Sequence, residues 1–103
     1  ALAHITGGGL TENLPRVLPP NSCAAINRAS WPRPAVFDWL QQSGNIDDAE
    51  MLRTFNSGIG MVVCVPAAAA SAAAALLAAQ GETVYRIGEI RAAATTTPHV
   101  QYE

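Results

Sequence analysis

The sequence has 103 residues, of which half are hydrophobic and 14% are charged. This length suits one folded domain, and the apolar content is too high for an intrinsically disordered chain. The formal net charge is -2, and the six cationic residues, all arginine, are scattered along the chain. These features exclude a nucleic-acid grip that depends on neutralising many phosphates.

The first part of the chain alternates between short apolar stretches and strong turn signals. Ala1–Thr6 is the end of a strand or a helix, and the glycines of Thr6–Gly9 predict a turn. Apolar residues at helical spacing then predict a short helix within Leu10–Leu18. Residues 19–21 contain two prolines and end that helix, and Cys23–Asn27 is a candidate strand.

A helix is predicted to begin at Arg33-Pro34, because proline is well tolerated in the first turn of a helix. Gly44 is placed to close it. Its apolar residues recur at helical spacing and are predicted to form a buried stripe. They are Val36, Phe37 and Leu40.

A second helix is predicted to follow at once. Asp47 with Glu50 three residues later has the pattern of a capping box. The apolar residues predicted to face inward from this helix are Met51, Leu52 and Phe55. Residues 56–58, Asn-Ser-Gly, break it.

The second half of the chain has a β-α-β-β pattern. Ile59–Val65 is almost continuously apolar, which predicts a strand that is buried on both faces. An alanine-rich helix then runs from Pro66 to Gly81. Thr83–Ile90 follows a half-buried strand pattern, and residues 100–102 are predicted to pair back as an edge strand. The expected fold is therefore α+β, with helices packed on a mixed sheet.

Neither the two cysteines nor the long uncharged stretch indicates a metal site or a membrane-spanning helix. Cys23 and Cys64 stand outside any CxxC or Cys/His cluster, which favours two free thiols, although a single bridge between them stays open. The histidines lie near opposite ends, so a metal site has little support. The stretch Val62–Ala79 contains Pro66 and is mostly alanine, which predicts a strand and a helix instead of a membrane span.

Thr6–Gly9 is the strongest candidate for a ligand-binding site. Backbone N–H groups approach an anion closely where no Cβ intervenes, and polar residues follow within two turns at Glu12, Asn13 and Arg16. The pattern is neither a GxGxxG fingerprint nor a P-loop. A plain turn followed by a solvated helix face is the competing interpretation.

Other candidates carry weaker signals. The segment 56–60, Asn-Ser-Gly-Ile-Gly, is a second turn of small residues, and its Ser57 has neither a nearby histidine nor a GxSxG elbow. His4 is either an acid–base group or an ordinary packed or surface imidazole. Trp31 and Trp39 are core or lid residues, because no basic stripe accompanies them.

Several unusual stretches occur in one order that resembles the C-terminal part of the AIR synthetase (phosphoribosylformylglycinamidine cyclo-ligase) family. These stretches are HITGGGLTENLPRVLP, SWPRPAVFDWLQQSGNIDDAEMLRTFN, GIGMVVCVP and GETVYRIGEI. The resemblance covers nearly all of the 103 residues and is weakest in the alanine-rich helix and the last eight. It favours the cyclo-ligase over related enzymes such as selenophosphate synthetase and the amidotransferase one step earlier.

The resemblance implies a specific reaction. Family members use ATP and Mg²⁺ to activate the formamide oxygen of formylglycinamidine ribonucleotide, and ring closure gives aminoimidazole ribonucleotide in de novo purine synthesis. They are cytoplasmic homodimers whose Mg²⁺–ATP machinery lies largely in an N-terminal domain. The chain is therefore expected to begin inside the C-terminal domain, to lack the ATP-binding domain, and to be inactive alone.

Site residues are transferred only where the family's motifs match. The resemblance places the glycine loop and the following segment near the ribonucleotide, with Arg16 as phosphate partner. The second turn matches at Asn56, Gly58 and Gly60, and no role is assigned to Ser57, where many members have cysteine. The expected substrate-binding residues are Thr6, Gly7, Gly8, Gly9, Asn13, Arg16, Asn56 and Gly58. No catalytic or metal-binding residue is expected, and the alternative function is a non-catalytic ligand-binding or interaction module.

Overall fold

The structure is a computed structural model that describes residues 1–103. Five strands form two small sheets, and four α-helices lie around them. The strands are β1 (Leu2–His4), β2 (Ser22–Ile26), β3 (Met61–Val63), β4 (Gly88–Ala92) and β5 (His99–Tyr102). The helices are α1 (Gly9–Asn13), α2 (Ala35–Gly44), α3 (Asp48–Thr54) and α4 (Ala70–Ala79). Short 3₁₀ turns occupy Leu14–Val17, Arg28–Ser30 and Ala67–Ala69.

The larger sheet is mixed and has the order β4-β2-β5. The central strand β2 pairs antiparallel with β4 and parallel with β5. Both of its edges are therefore occupied, and all five of its residues are buried. The α+β prediction is confirmed, and so are the strand predicted at Cys23–Asn27 and the edge strand predicted at residues 100–102.

The hydrophobic core lies between β2, the β1–β3 pair and the first helical segment. Its members are Ala3, Ile5, Leu10, Leu14, Ala24, Ile26, Trp31, Ile59 and Val62. The indole Nε1 of Trp31 donates a hydrogen bond of 3.0 Å to the carbonyl oxygen of Ser57, so its polar atom is satisfied inside the core. Cys23 is buried and Cys64 is partly buried, and both are free thiols.

The helix predicted within Leu10–Leu18 is observed in two parts. α1 passes directly into the 3₁₀ turn at Leu14–Val17, and Pro15 stands at the beginning of that turn. Proline fits there because its missing N–H is not needed in a first turn. Leu10 and Leu14 are almost completely buried, so this short element carries a full share of the core.

The helix predicted from Pro34 is observed as α2, but its predicted buried stripe is wrong. Val36 is 54% exposed, and no residue of α2 is buried. Phe37 is half-buried, with its ring centroid 5.9 Å from that of Phe55. Periodicity identifies the apolar face of a helix, but another layer must cover that face to bury it. Asn45, with φ 50°, provides the left-handed cap that was predicted for Gly44.

The helix start predicted at Asp47 is confirmed in α3. The Asp47 carboxylate accepts a hydrogen bond of 2.8 Å from the backbone N–H of Glu50. The reciprocal half of the capping box is absent, because the Glu50 side chain contacts Arg53 and Thr54 instead. These contacts lower the pKa of Glu50, the hydrogen bond from Arg53 being the largest cause. Met51 is buried as predicted, and Leu52 and Phe55 are half-buried.

Replacing the cap provides a local test of this helix start. Asp47→Ala is expected to cost about 1 kcal/mol of stability, because one N–H at the start of α3 loses its acceptor. Thermal unfolding should then shift downward by roughly 4–8 °C for a domain of this size. Asp47→Ser retains an acceptor and is the control. Equal midpoints for Asp47→Ala and the parent chain would contradict the capping role.

The strand predicted at Ile59–Val65 is shorter than expected and is buried on one face only. β1 and β3 form a separate two-stranded antiparallel ribbon. Val62 faces the core, whereas Met61 and Val63 are exposed. The prediction of burial on both faces is wrong, because no second layer covers the outer side of this ribbon.

The tail also differs in detail from the sequence-based prediction. α4 lies within the predicted alanine-rich helix, but none of its residues is buried. The strand predicted at Thr83–Ile90 begins only at Gly88, and all five residues of β4 are exposed. A Cβ at Gly88 would overlap the Ala25 carbonyl oxygen, so the close approach of β4 to β2 requires glycine. Every helix is too short or too polar to cross a bilayer.

Candidate functional site

The fold brings the two candidate turns to the same end of the β1–β3 ribbon. His4 pairs with Met61, and the N–H of Ile5 donates a hydrogen bond of 2.9 Å to the Gly60 carbonyl oxygen. Because the strands are antiparallel, the loop that follows β1 meets the segment that precedes β3. The glycine loop, Thr6–Gly9, therefore lies beside the second turn, Asn56–Gly60.

Gly9 holds the glycine loop against the end of α3. It is buried and has φ +60°, a backbone conformation that favours glycine. A Cβ at this position would overlap the Leu52 carbonyl oxygen and would lie 2.5 Å from that of Phe55. Gly9 therefore has a structural role, because only a residue without a side chain allows this approach.

Asn13 organises the inside of the loop. The residue is 5% exposed, and its side-chain Nδ2 donates to the carbonyl oxygens of Thr6, Gly7 and Gly9 at 3.3, 3.2 and 2.9 Å. Its Oδ1 accepts hydrogen bonds from Thr6 Oγ1 at 3.4 Å and from Arg16 Nη1 at 3.2 Å. Asn13 is thus fully occupied by the protein, and it connects the loop backbone to the Arg16 guanidinium.

The remaining groups of the loop are available to a ligand. The backbone N–H groups of Thr6, Gly7 and Gly8 donate to no acceptor within the chain. A Cβ at Gly7 would meet nothing within 4 Å, so this part of the loop borders open space. Arg16 is exposed and forms no ion pair. Successive free N–H groups beside a guanidinium suit an anion such as a phosphate group.

Glu12 limits how an anion can approach. A Cβ at Gly8 would lie 2.5 Å from Glu12 Oε2, so this carboxylate covers one side of the loop. Its negative charge repels an anion on that side. The open space at Gly7 is therefore the electrostatically more favourable side for an anion.

The second turn is shaped by its own side chains. Asn56 Oδ1 accepts a hydrogen bond of 2.8 Å from the Gly58 N–H. Gly58 has φ +97°, and a Cβ there would lie 2.6 Å from Cδ of Pro34, at the start of α2. Both residues therefore build the turn. Ser57 is buried, and its Oγ has no hydrogen-bond partner.

His4 lies outside the glycine loop. It is exposed on the outer side of the ribbon, opposite Met61 in the strand register. Of the two interpretations that the sequence left open, an acid–base group or an ordinary imidazole, this position agrees with an ordinary surface imidazole.

Sequence reasoning missed the contacts of Thr11, which joins the helix after the glycine loop to β5 and α3. Thr11 Oγ1 lies 2.8 Å from Tyr102 Oη and 3.3 Å from the Leu52 carbonyl oxygen. Burial raises the pKa of Tyr102, and the hydrogen bond to Thr11 opposes that shift. Thr11 and Tyr102 are 91 positions apart, so no local sequence pattern predicts their contact.

The acidic side chains of the chain do not gather into a site for Mg²⁺. Mg²⁺ prefers oxygen ligands, usually carboxylates together with phosphates and water. No group of three or more His, Cys, Asp or Glu side chains lies close enough together to hold a metal ion. The residues of this chain do not fit such a site by themselves.

Comparison with known proteins places the chain in a family. The family described as "AIR synthase related protein, C-terminal domain" matches residues 1–101. The chain belongs to this family. It is 61% identical over 90 residues to phosphoribosylformylglycinamidine cyclo-ligase of Neisseria meningitidis serogroup C and 62% identical to that of Chromobacterium violaceum. Each match covers 87% of this chain and 26% of the relative, so the chain spans about a quarter of the length of these curated relatives.

Proposed function

We propose that this AIR synthase family chain supplies the substrate-phosphate loop of a phosphoribosylformylglycinamidine cyclo-ligase. Such an enzyme converts formylglycinamidine ribonucleotide to aminoimidazole ribonucleotide with ATP. Membership of the family and identities of 61–62% to relatives of that name support this role. The observation that carries it is the set of unpaired N–H groups at Thr6, Gly7 and Gly8 beside Arg16.

Each residue has a defined part in this proposal. The loop N–H groups and Arg16 bind the 5′-phosphate, since a guanidinium contacts phosphate through two parallel hydrogen bonds. Asn13 and Gly9 hold the loop, and Asn56 and Gly58 shape the neighbouring turn. The chain contributes binding and orientation of the substrate, and no residue in it is assigned to proton transfer or nucleophilic attack.

The wider enzyme supplies the rest of the reaction. ATP and Mg²⁺ activate the formamide oxygen when they are bound, and their carboxylate ligands belong to other parts of the enzyme. The proposal includes a cytoplasmic homodimer, as the resemblance of the sequence to that enzyme implies. The isolated chain should release no ADP in the presence of substrate, and substrate-dependent ADP release would contradict this division of labour.

The loop can be tested on the chain with ribose 5-phosphate as the probe. We expect titration of ¹⁵N-labelled chain to shift the backbone resonances of Thr6, Gly7 and Gly8 most. Arg16→Gln should weaken binding about tenfold or more, because a charge-assisted bidentate contact is lost.

Arg86→Gln is the matched control, since Arg86 is also exposed and forms no ion pair. This substitution should leave the affinity unchanged. Equal weakening by the two substitutions would assign the effect to net charge. Resonance shifts centred on other residues would show that the phosphate binds away from the loop. This result, or equal weakening by the two substitutions, would overturn the proposed site.

A further inference from the structure

A large apolar cleft lies between the β1–β3 ribbon and α4. Its volume is about 1270 Å³, and most of its lining is hydrophobic. Its lining includes Leu2, Met61 and Val63 on the ribbon and Ala73 and Leu77 on α4. We refer to this feature as the apolar cleft.

The ribbon side of the apolar cleft has the pattern of an interior surface. Leu2 lies opposite Val63 in the register of β1 and β3. Leu2, Met61 and Val63 are 65%, 55% and 40% exposed, whereas Ala3 and Val62 between them are buried. Side chains alternate across a strand, so these exposed residues share one outer face with His4, which lies outside the apolar cleft. An outer face of this kind is typical of a sheet that another layer covers.

The helix side of the apolar cleft is also apolar and uncovered. α4 has ten residues, carries no charge, and buries none of them. A surface helix normally has a polar face, and a helix that is apolar all round is normally buried.

Both strands of the ribbon also keep one edge without a partner strand. A two-stranded sheet is marginally stable alone, and open edges accept additional strands.

We propose that the apolar cleft is the docking surface for the part of an AIR synthase polypeptide that lies outside this segment. The occupant is an extended segment with alternating apolar residues, which pairs with a free edge of the ribbon and covers its outer face. The relatives supply such a partner, because about three quarters of their length lies outside the matched region. The apolar lining suits a buried protein segment, and a charged ligand would lose hydration there.

The test uses a chimera in which this chain replaces the matching quarter of the Neisseria meningitidis cyclo-ligase. The double substitution Met61→Glu with Val63→Glu should lower the melting temperature of the chimera by about 10 °C or more, because two carboxylates enter a buried interface. The same substitutions should change the melting temperature of the 103-residue chain by about 2 °C or less, because both side chains are exposed in it.

Val36→Glu is the matched control, because Val36 on α2 is 54% exposed and lies outside the apolar cleft. It should leave the melting temperature of the chimera unchanged. Hydrogen exchange at Met61–Val63 gives a second measurement on the unsubstituted proteins, and it should be at least about tenfold slower in the chimera than in the chain alone.

Two results would overturn the proposal. One is a chimera that tolerates the double substitution and exchanges this strand as fast as the isolated chain. The other is a stable dimer of the isolated chain that the double substitution dissociates, since a second copy would then be the occupant. Cyclo-ligase activity of the unsubstituted chimera is a separate readout. It bears on the proposed function and leaves the docking result unaffected.

Discussion

Gly9→Ala is expected to destabilise the chain by about 3 kcal/mol. An L-residue at φ +60° costs about 1–2 kcal/mol, and overpacking a close contact costs a further 1–3 kcal/mol. The added methyl group would overlap the Leu52 carbonyl oxygen, so α1 would have to move away from α3. A loss of this size is a large fraction of the stability of a small domain.

Gly7→Ala is the control for this substitution. Gly7 is outside the positive-φ region, and a Cβ there would have no neighbour within 4 Å. Its stability should stay within about 0.5 kcal/mol of the parent chain. Urea unfolding followed by tryptophan fluorescence measures both effects. If the two variants unfolded at the same urea concentration, the close packing of Gly9 against α3 would be wrong.

The sequence predicted those parts of the fold that depend on neighbouring residues. The Asp47 cap, the helix start after Pro34 and the turn at Thr6–Gly9 each follow from chemistry within a few positions. The strand β2 was also predictable, because a short apolar run between turn signals favours a buried strand. The parallel pairing of β2 with β5 joins residues about 75 positions apart, and local patterns carry no information on such a contact.

The errors concern burial, and they share one physical cause. Val36 and Met61 are apolar residues at correctly predicted elements, yet both are more than half exposed. Periodicity shows which side of an element is apolar, but burial depends on the second layer that packs against it. The outer face of the ribbon lacks that layer in this chain. Within the apolar run 59–65, Ile59 and Val62 pack in the core, whereas Met61 and Val63 have no covering layer.

The substrate-binding role of the candidate site residues stays a prediction, and the structure describes only their contacts within the chain. Sequence reasoning assigned the glycine loop and Asn13 equally to substrate binding. The structure separates residues with free groups, such as Gly7 and Arg16, from residues whose polar atoms are used internally, such as Asn13 and Asn56. Only three-dimensional contacts distinguish these roles, because both kinds of residue occupy the same short motif.

Asn13→Asp should have the second large effect. The substitution preserves shape but replaces the Nδ2 donor, which serves three carbonyl oxygens, with an acceptor. At neutral pH a buried carboxylate would face those carbonyls without a compensating donor for each. We expect a loss of about 3 kcal/mol and, because the loop and Arg16 lose their common support, a loss of ribose 5-phosphate binding.

The pH dependence of Asn13→Asp identifies the cause. Burial and the three facing carbonyls favour the neutral form of the new carboxyl, whereas the Arg16 guanidinium 3.2 Å from Oδ1 favours the charged form. Because Arg16 is exposed and its charge is screened, we expect the first effect to dominate and to raise the pKa in the folded state above its unfolded value of about 3.9. Stability is therefore retained below the unfolded pKa and lost as pH rises through the folded pKa. Relative to the parent chain, the variant should be less impaired near about pH 4 than near about pH 7. Asn21→Asp adds the same charge at an exposed side chain without hydrogen bonds, so its effect should stay within about 0.5 kcal/mol at both pH values. A pH-independent loss in Asn13→Asp would instead mean that the Asn13 amide does not hold the loop through its donors.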